Sequence, residues 1–175
     1  MNQLVDNMIR AAKLDIAFYE KAEADKSMFG QAMLVVVLSS LAAGIGSIGA
    51  GITGILLGTV SALIGWYVWA YLTYLIGTKL LPEPQTRADV GELLRTIGFS
   101  SSPGLIRILG IIPGLATIAT LVAGIWMLVA MVVAIRQALD YSSTGRAIGV
   151  CVIGWVIQMI IIFVLVGAFF AAGSA

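Results

Sequence analysis

Few residues in this chain could do chemistry, and those that could are embedded in apolar sequence. Arg107 is the one basic residue inside an apolar run, close behind Pro103. A charge at the bilayer centre costs at least ~2.5 kcal/mol, so such a residue marks a pathway or a partner, or snorkels to the surface along its apolar stem. Two expectations follow. The first is a headgroup contact at the membrane boundary, in line with Lys79 and Arg136. The second is a buried charge lining a conduit. Gln158, in the middle of the last apolar run, is expected to hydrogen-bond between helices, with a solute contact as the alternative. Cys151 is the single cysteine, which excludes an intramolecular disulfide and cannot build a zinc or iron–sulfur site. The chain has no histidine, which removes the commonest general base, the commonest transition-metal ligand and imidazole-held haem. No acidic residue falls in an apolar run, so proton relays and carboxylate sodium sites are not expected. No glycine loop of the phosphate-cradling kind is present. No catalytic residue, metal site or cofactor is therefore expected, and the reading is of a protein that is not an enzyme.

Small residues form the strongest packing signal. Ala50, Gly54, Gly58 and Ala62 share one helical face, and Gly54–Gly58 is a GxxxG match. In lipid, small residues let helix backbones approach closely. This face is expected to pack within the bundle, or between copies of the chain. Gly58→Leu should then disturb packing more than Leu57→Ala.

These residues need helices to position them. Sixty per cent of the 175 residues are apolar and 11% charged, at a mean hydropathy of +1.04, the balance of a polytopic membrane protein rather than a soluble domain. A net charge of +1 gives no electrostatic case for nucleic acid. The basic residues alternate along the chain. Arg10, Lys13, Lys21 and Lys26 precede the first apolar run, Lys79, Arg87 and Arg95 follow the second, and Arg136 and Arg146 follow the fourth. The connections around Gly49, around Gly114 and after Gly167 are uncharged. Basic residues are retained on the cytoplasmic side, so the pattern predicts an all-α bundle of about five transmembrane helices. The N-terminus, Gln85 and Ser143 would face the cytoplasm and Ser174 the opposite side of the cytoplasmic (inner) membrane. No signal peptide is read at the N-terminus.

Two domains are expected: an N-terminal amphipathic helix over 1–27 and a transmembrane domain over 28–175. Within the first, Leu4, Val5, Met8, Ile9, Ala12, Ile16 and Tyr19 form an apolar stripe along a helix over 3–26. That helix should lie in the membrane interface, or dock on the chain's own loops. Spans are expected at 28–48, 52–77, 115–135 and 147–172. Residues 86–97 read as a second surface helix, with Val90, Leu93, Leu94 and Ile97 opposite Arg87, Glu92 and Arg95. Residues 99–112, ended by Pro113-Gly114, are short for a span and are expected to be tilted or re-entrant.

The stretches TKLLPEPQTRADVGELLRTIGFSSSPGLIRILGIIPG (78–114) and IWMLVAMVVAIRQALDYSSTGRAIGVCVIGWV (125–156) resemble the YIP superfamily of five-span membrane proteins in its bacterial branch. The N-terminal LDIAFYEKAEADKSMFGQAMLVVVLSSLAAGIG is similar to the first helix and span of such members. The resemblance implies a five-helix bundle with a cytoplasmic N-terminus. Eukaryotic members bind prenylated Rab-type GTPases, but their Asp-Leu-Xaa-Gly-Pro motif is replaced here by ADKSMFG, so Rab binding is not carried over. The expected partners are the lipid bilayer and other membrane proteins or further copies of the chain. The first functional expectation is a membrane organiser, or an accessory or scaffold subunit of a membrane assembly. The alternative is a passive conduit or binding protein for a lipid or small apolar solute.

Overall fold

The computed structural model describes residues 2–47 and 51–173, so Ala50 of the small-residue face and Ser174 lie outside the described residues. Among the described residues seven α-helices follow one another: α1 (Asn2–Ala12), α2 (Ile16–Ala24), α3 (Phe29–Gly46), α4 (Gly51–Leu75), α5 (Val90–Ser100), α6 (Ala116–Ala138) and α7 (Thr144–Gly173). A 3-10 helix, Ser102–Ile111, continues α5. Four stretches are long and apolar enough to cross a membrane: Lys26–Gly46, Gly51–Leu80, Ala116–Ala138 and Thr144–Ile161. The first three fall within about three residues of the expected spans, and the fourth begins three residues before the expected start and lies within α7, because long apolar runs closed by charges and prolines leave little choice of boundary.

The amphipathic stretch over 3–26 is two helices rather than one. Leu14 takes a left-handed conformation (φ 61°), and Asp15 then caps α2 by accepting from the Phe18 N–H. Arg10 donates to Asp15 at 2.7 Å, and that hydrogen bond holds the carboxyl below its usual range. Phe18 and Tyr19 are fully buried in the common core, with the Phe18 ring edge-on to Phe99 at 4.9 Å. Burial pushes the Tyr19 hydroxyl well above the usual tyrosine range. α1 turns Met8 and Ala11 inward and leaves Val5 and Ile9 about half exposed. The Trp126 indole N–H donates to the Ala12 carbonyl at 2.7 Å and ties α1 to α6. The N-terminal segment is thus docked on the chain's own helices while keeping one apolar edge outward.

The expected surface helix over 86–97 is corrected. Its N-terminus is set by Asp89, whose side chain accepts from the Glu92 N–H while Glu92 reaches back to the Asp89 N–H, a complete capping box. From Leu93 to Ser100 every residue is buried, including Arg95 at 4% exposure. The amphipathic face predicted here is real, but α2 lies over its polar side. Arg95 explains how a charge tolerates this: its Nε donates to the Ala22 carbonyl at 2.8 Å and its Nη2 to the Glu23 carbonyl. A guanidinium at the C-terminal carbonyls of α2 satisfies those acceptors and opposes the helix dipole.

α5 leads into the 3-10 helix, and the two run parallel to α3. Gly98 lies against Ala32, Gly104 against Ser39 and Gly110 against Gly46. Seven residues separate the partners on α3 and six separate the glycines. From Gly104 to Gly110 six 3-10 residues advance about 12 Å against about 10.5 Å for seven α residues, so the two rods stay nearly in step there. A Cβ at Gly110 would strike the Gly46 backbone, and one at Gly46 would strike the Arg107 carbonyl. The short third segment therefore reaches the far end of α3, before the chain turns at Gly114 (φ 86°) into α6.

The opposite end is knitted by polar groups. The Tyr141 hydroxyl donates towards the Gly77 and Leu81 carbonyls, at 3.0 and 2.8 Å. Glu83, 8% exposed, accepts from the Ser142 N–H and hydroxyl at 2.9 and 2.7 Å and pairs with Arg146 at 3.2 Å. The Ser142 hydrogen bonds hold the Glu83 carboxyl below its usual range.

Candidate functional site: a side-opening cavity around Arg107

Pro103 opens the 3-10 helix that carries Arg107, since a residue without an N–H suits a first turn. The Arg107 guanidinium then reaches across the bundle instead of back to the surface. Its Nε donates to the Gly104 carbonyl at 3.1 Å. Its Nη2 donates to the Ser39 hydroxyl at 2.7 Å and carbonyl at 3.3 Å, and touches the Met127 sulfur at 3.6 Å. Ser39 lies past the middle of α3, and Met127 is the central residue of α6. Through Ser39 and Met127 the charge sits midway along α3 and α6, away from the end of α6 that carries Arg136. Serine and backbone acceptors make this depth tolerable, because each replaces a water that the guanidinium has lost.

Arg107 borders a cavity of about 620 Å³ between α3, α4, α6, α7 and the 3-10 helix. Gly54, Gly58 and Ala62 line it, and so does Gln158 from α7. Every described residue singled out from the sequence as packing or contact therefore converges on one space. The arrangement differs from a packing seam. A Cβ at Gly58 or at Gly65 would meet nothing within 4 Å, so the close helix contact expected at Gly58 is not made within the chain. These small residues leave room. A smaller cavity of about 320 Å³ lies beyond Arg107 towards the far end, where Ser47, Thr117 and Thr120 border it.

Sequence reasoning missed the floor of the cavity. Trp66 and Trp69 lie on the same face of α4 as the glycines, one and two turns nearer the basic loops, and Trp155 faces them from α7. Trp66 donates its indole N–H to the Leu94 carbonyl at 3.0 Å. Trp69 is 8% exposed, yet its indole nitrogen has no hydrogen-bond partner among the described residues. The continuation of the i, i+4 spacing from Ala62 through Gly65, Trp66 and Trp69 was the available signal.

A bundle of apolar helices with a cavity opening on its flank defines a multi-pass membrane protein. The chain belongs to the Yip1 family, for the Yip1 domain model matches residues 16–166. No curated protein and no solved structure matches the chain.

Proposed function

We propose that this Yip1-domain protein is a non-enzymatic membrane protein that holds a lipid or small apolar solute in the flank cavity. The observation that carries the reading is a guanidinium at mid-bundle depth facing about 620 Å³ of space. Such a charge is costly to keep in a membrane unless a partner or pathway uses it. The volume falls within the roughly 300–1,000 Å³ range of small-molecule sites. In orientation, the basic loops and α1 face the cytoplasm of the inner membrane. Native mass spectrometry of the full chain, released from its own membrane in mild detergent, tests the reading. Wild-type protein should carry adducts that Gly58→Leu, which fills the cavity, does not. Equal adducts on both, or none on either, would overturn it. Impermeant labelling of Gln85→Cys and Ser143→Cys in a Cys151→Ala background should react from the cytoplasmic side only.

A role in organising the membrane, or as an accessory subunit, is the second reading. It draws on the apolar edge of α1 and α2, where Val5, Ile9 and Ile16 are each about half exposed. The domain division follows the same line, with residues 1–27 as a docked interfacial unit on the transmembrane domain of 28–175.

A further inference from the structure

The polar groups around the cavity are unbalanced in kind. Of the five guanidinium N–H groups of Arg107, those on Nε and Nη2 have protein acceptors, whereas Nη1 has none among the described residues. The buried Trp69 indole N–H also lacks an acceptor among the described residues. No carboxylate pairs with Arg107 among the described residues, and no acidic residue borders the cavity. Beside serine hydroxyls and the Gln158 amide, which can both donate and accept, the cavity thus offers two unengaged donor groups and a full positive charge to whatever enters.

Its shape is equally one-sided. From Gly54 to Trp69 the lining follows a single face of α4, a trough about 22 Å long at 1.5 Å per residue. Glycine and alanine make its wall, and Trp66, Trp69 and Trp155 its end. Resting on the cavity reading above, we infer that the occupant is a single-chain amphiphile with an anionic oxygen head. The head takes the unpaired edge of Arg107, and the chain lies along the Gly58–Gly65 wall towards the tryptophans. An uncharged apolar solute would fill the trough and leave the charge unpaired in a medium of low dielectric. An anionic head supplies a charged acceptor where the cavity lining carries a guanidinium and no carboxylate.

The tryptophans provide the readout. The full chain in mild detergent is titrated with stearate brominated near its methyl end, and separately with the methyl ester of the same chain. The acid should quench tryptophan emission saturably, roughly ten-fold more tightly than the ester, the factor expected of one charge-assisted hydrogen bond. Arg107→Gln should bring the acid to the level of the ester, and Gly58→Leu should weaken both. Equal binding of acid and ester to the unaltered chain overturns the anionic class while leaving the cavity reading standing. Absence of saturable quenching by either overturns the cavity reading and this inference with it. Because that comparison uses the unaltered chain, it holds even if Arg107→Gln does not fold. Competition by palmitate and by lysophosphatidate assigns the head: the more potent competitor identifies carboxylate or phosphate. Failure of both to compete better than lysophosphatidylcholine would overturn the inference.

Discussion

Two faces of this molecule are built from small residues, and they do opposite things. Along α3, Ala32 and Gly46 meet Gly98 and Gly110 backbone to backbone, and the Ser39 side chain fills the space at Gly104. Along α4, Gly54, Gly58, Ala62 and Gly65 border empty space. Composition does not separate the two, and the formal GxxxG match belongs to the open face. What separates them is the neighbour. α3 has a parallel rod of nearly equal rise beside it, whereas α7 meets α4 at its tryptophan end, where Trp69 packs on Gly154, and no side chain lies within 4 Å of a Cβ at Gly58 or Gly65. A small residue permits close approach, and the opposing element decides whether the approach is made.

The largest effect should come from breaking the closed face. Gly110→Leu drives a side chain into the Gly46 backbone and should cost about 3 kcal/mol or prevent folding, read as a fall in thermal midpoint in detergent. Ser39→Ala comes next, at about 1–2 kcal/mol, since Ser39 both packs on Gly104 and takes the Arg107 hydrogen bond. Asp89→Ala removes the capping box that starts the rod and should cost about 1 kcal/mol. A smaller, pH-dependent effect belongs to Glu23, beside the α2 end that Arg95 holds. Burial first, then the charges of Asp140, Glu92 and Glu20, raise its carboxyl from 4.5 to about 7, against the lowering effect of Arg95. A folded-state value above the unfolded one means that the protonated form favours the folded chain. Its contribution is complete below 4.5 and is lost as pH rises through about 7. The thermal midpoint should therefore fall across that window, and Glu23→Gln should flatten the slope. The smallest effect should be Gly58→Leu, within about 0.5 kcal/mol of wild type, since open space receives the side chain and leucine favours helix. This reverses the order expected from the GxxxG match. If Gly58→Leu and Gly110→Leu destabilise alike, the contrast between the two faces is wrong.

The four long spans were legible because their apolar runs are bounded by charge, proline or glycine. Arg107, Gln158 and the Gly54–Ala62 stripe were legible as exceptions to their surroundings, and the structure gathers them around one cavity. The burial of α5 was not legible. Its periodicity gave one apolar face, but only tertiary contact reveals that α2 covers the other and supplies Arg95 with carbonyl acceptors. The closed face was missed for a related reason: glycines six apart match no α-helical spacing, and their alignment emerges only once the segment is known to be 3-10. The partners of Arg107 midway along α3 and α6 were not legible, because sequence gives its distance from Pro103 but not what the segment packs against.

The 3-10 helix has one more consequence, for which changes of chain length the segment can absorb. With about three residues per turn, removing a single residue between Gly104 and Gly110 would turn everything beyond it by about 120°. Gly110 would leave the Gly46 backbone, and Ile111 would arrive in its place. Loops elsewhere tolerate such slips because nothing opposite them keeps count. Here α3 acts as the ruler, so the number of residues between those glycines is constrained as tightly as their identity.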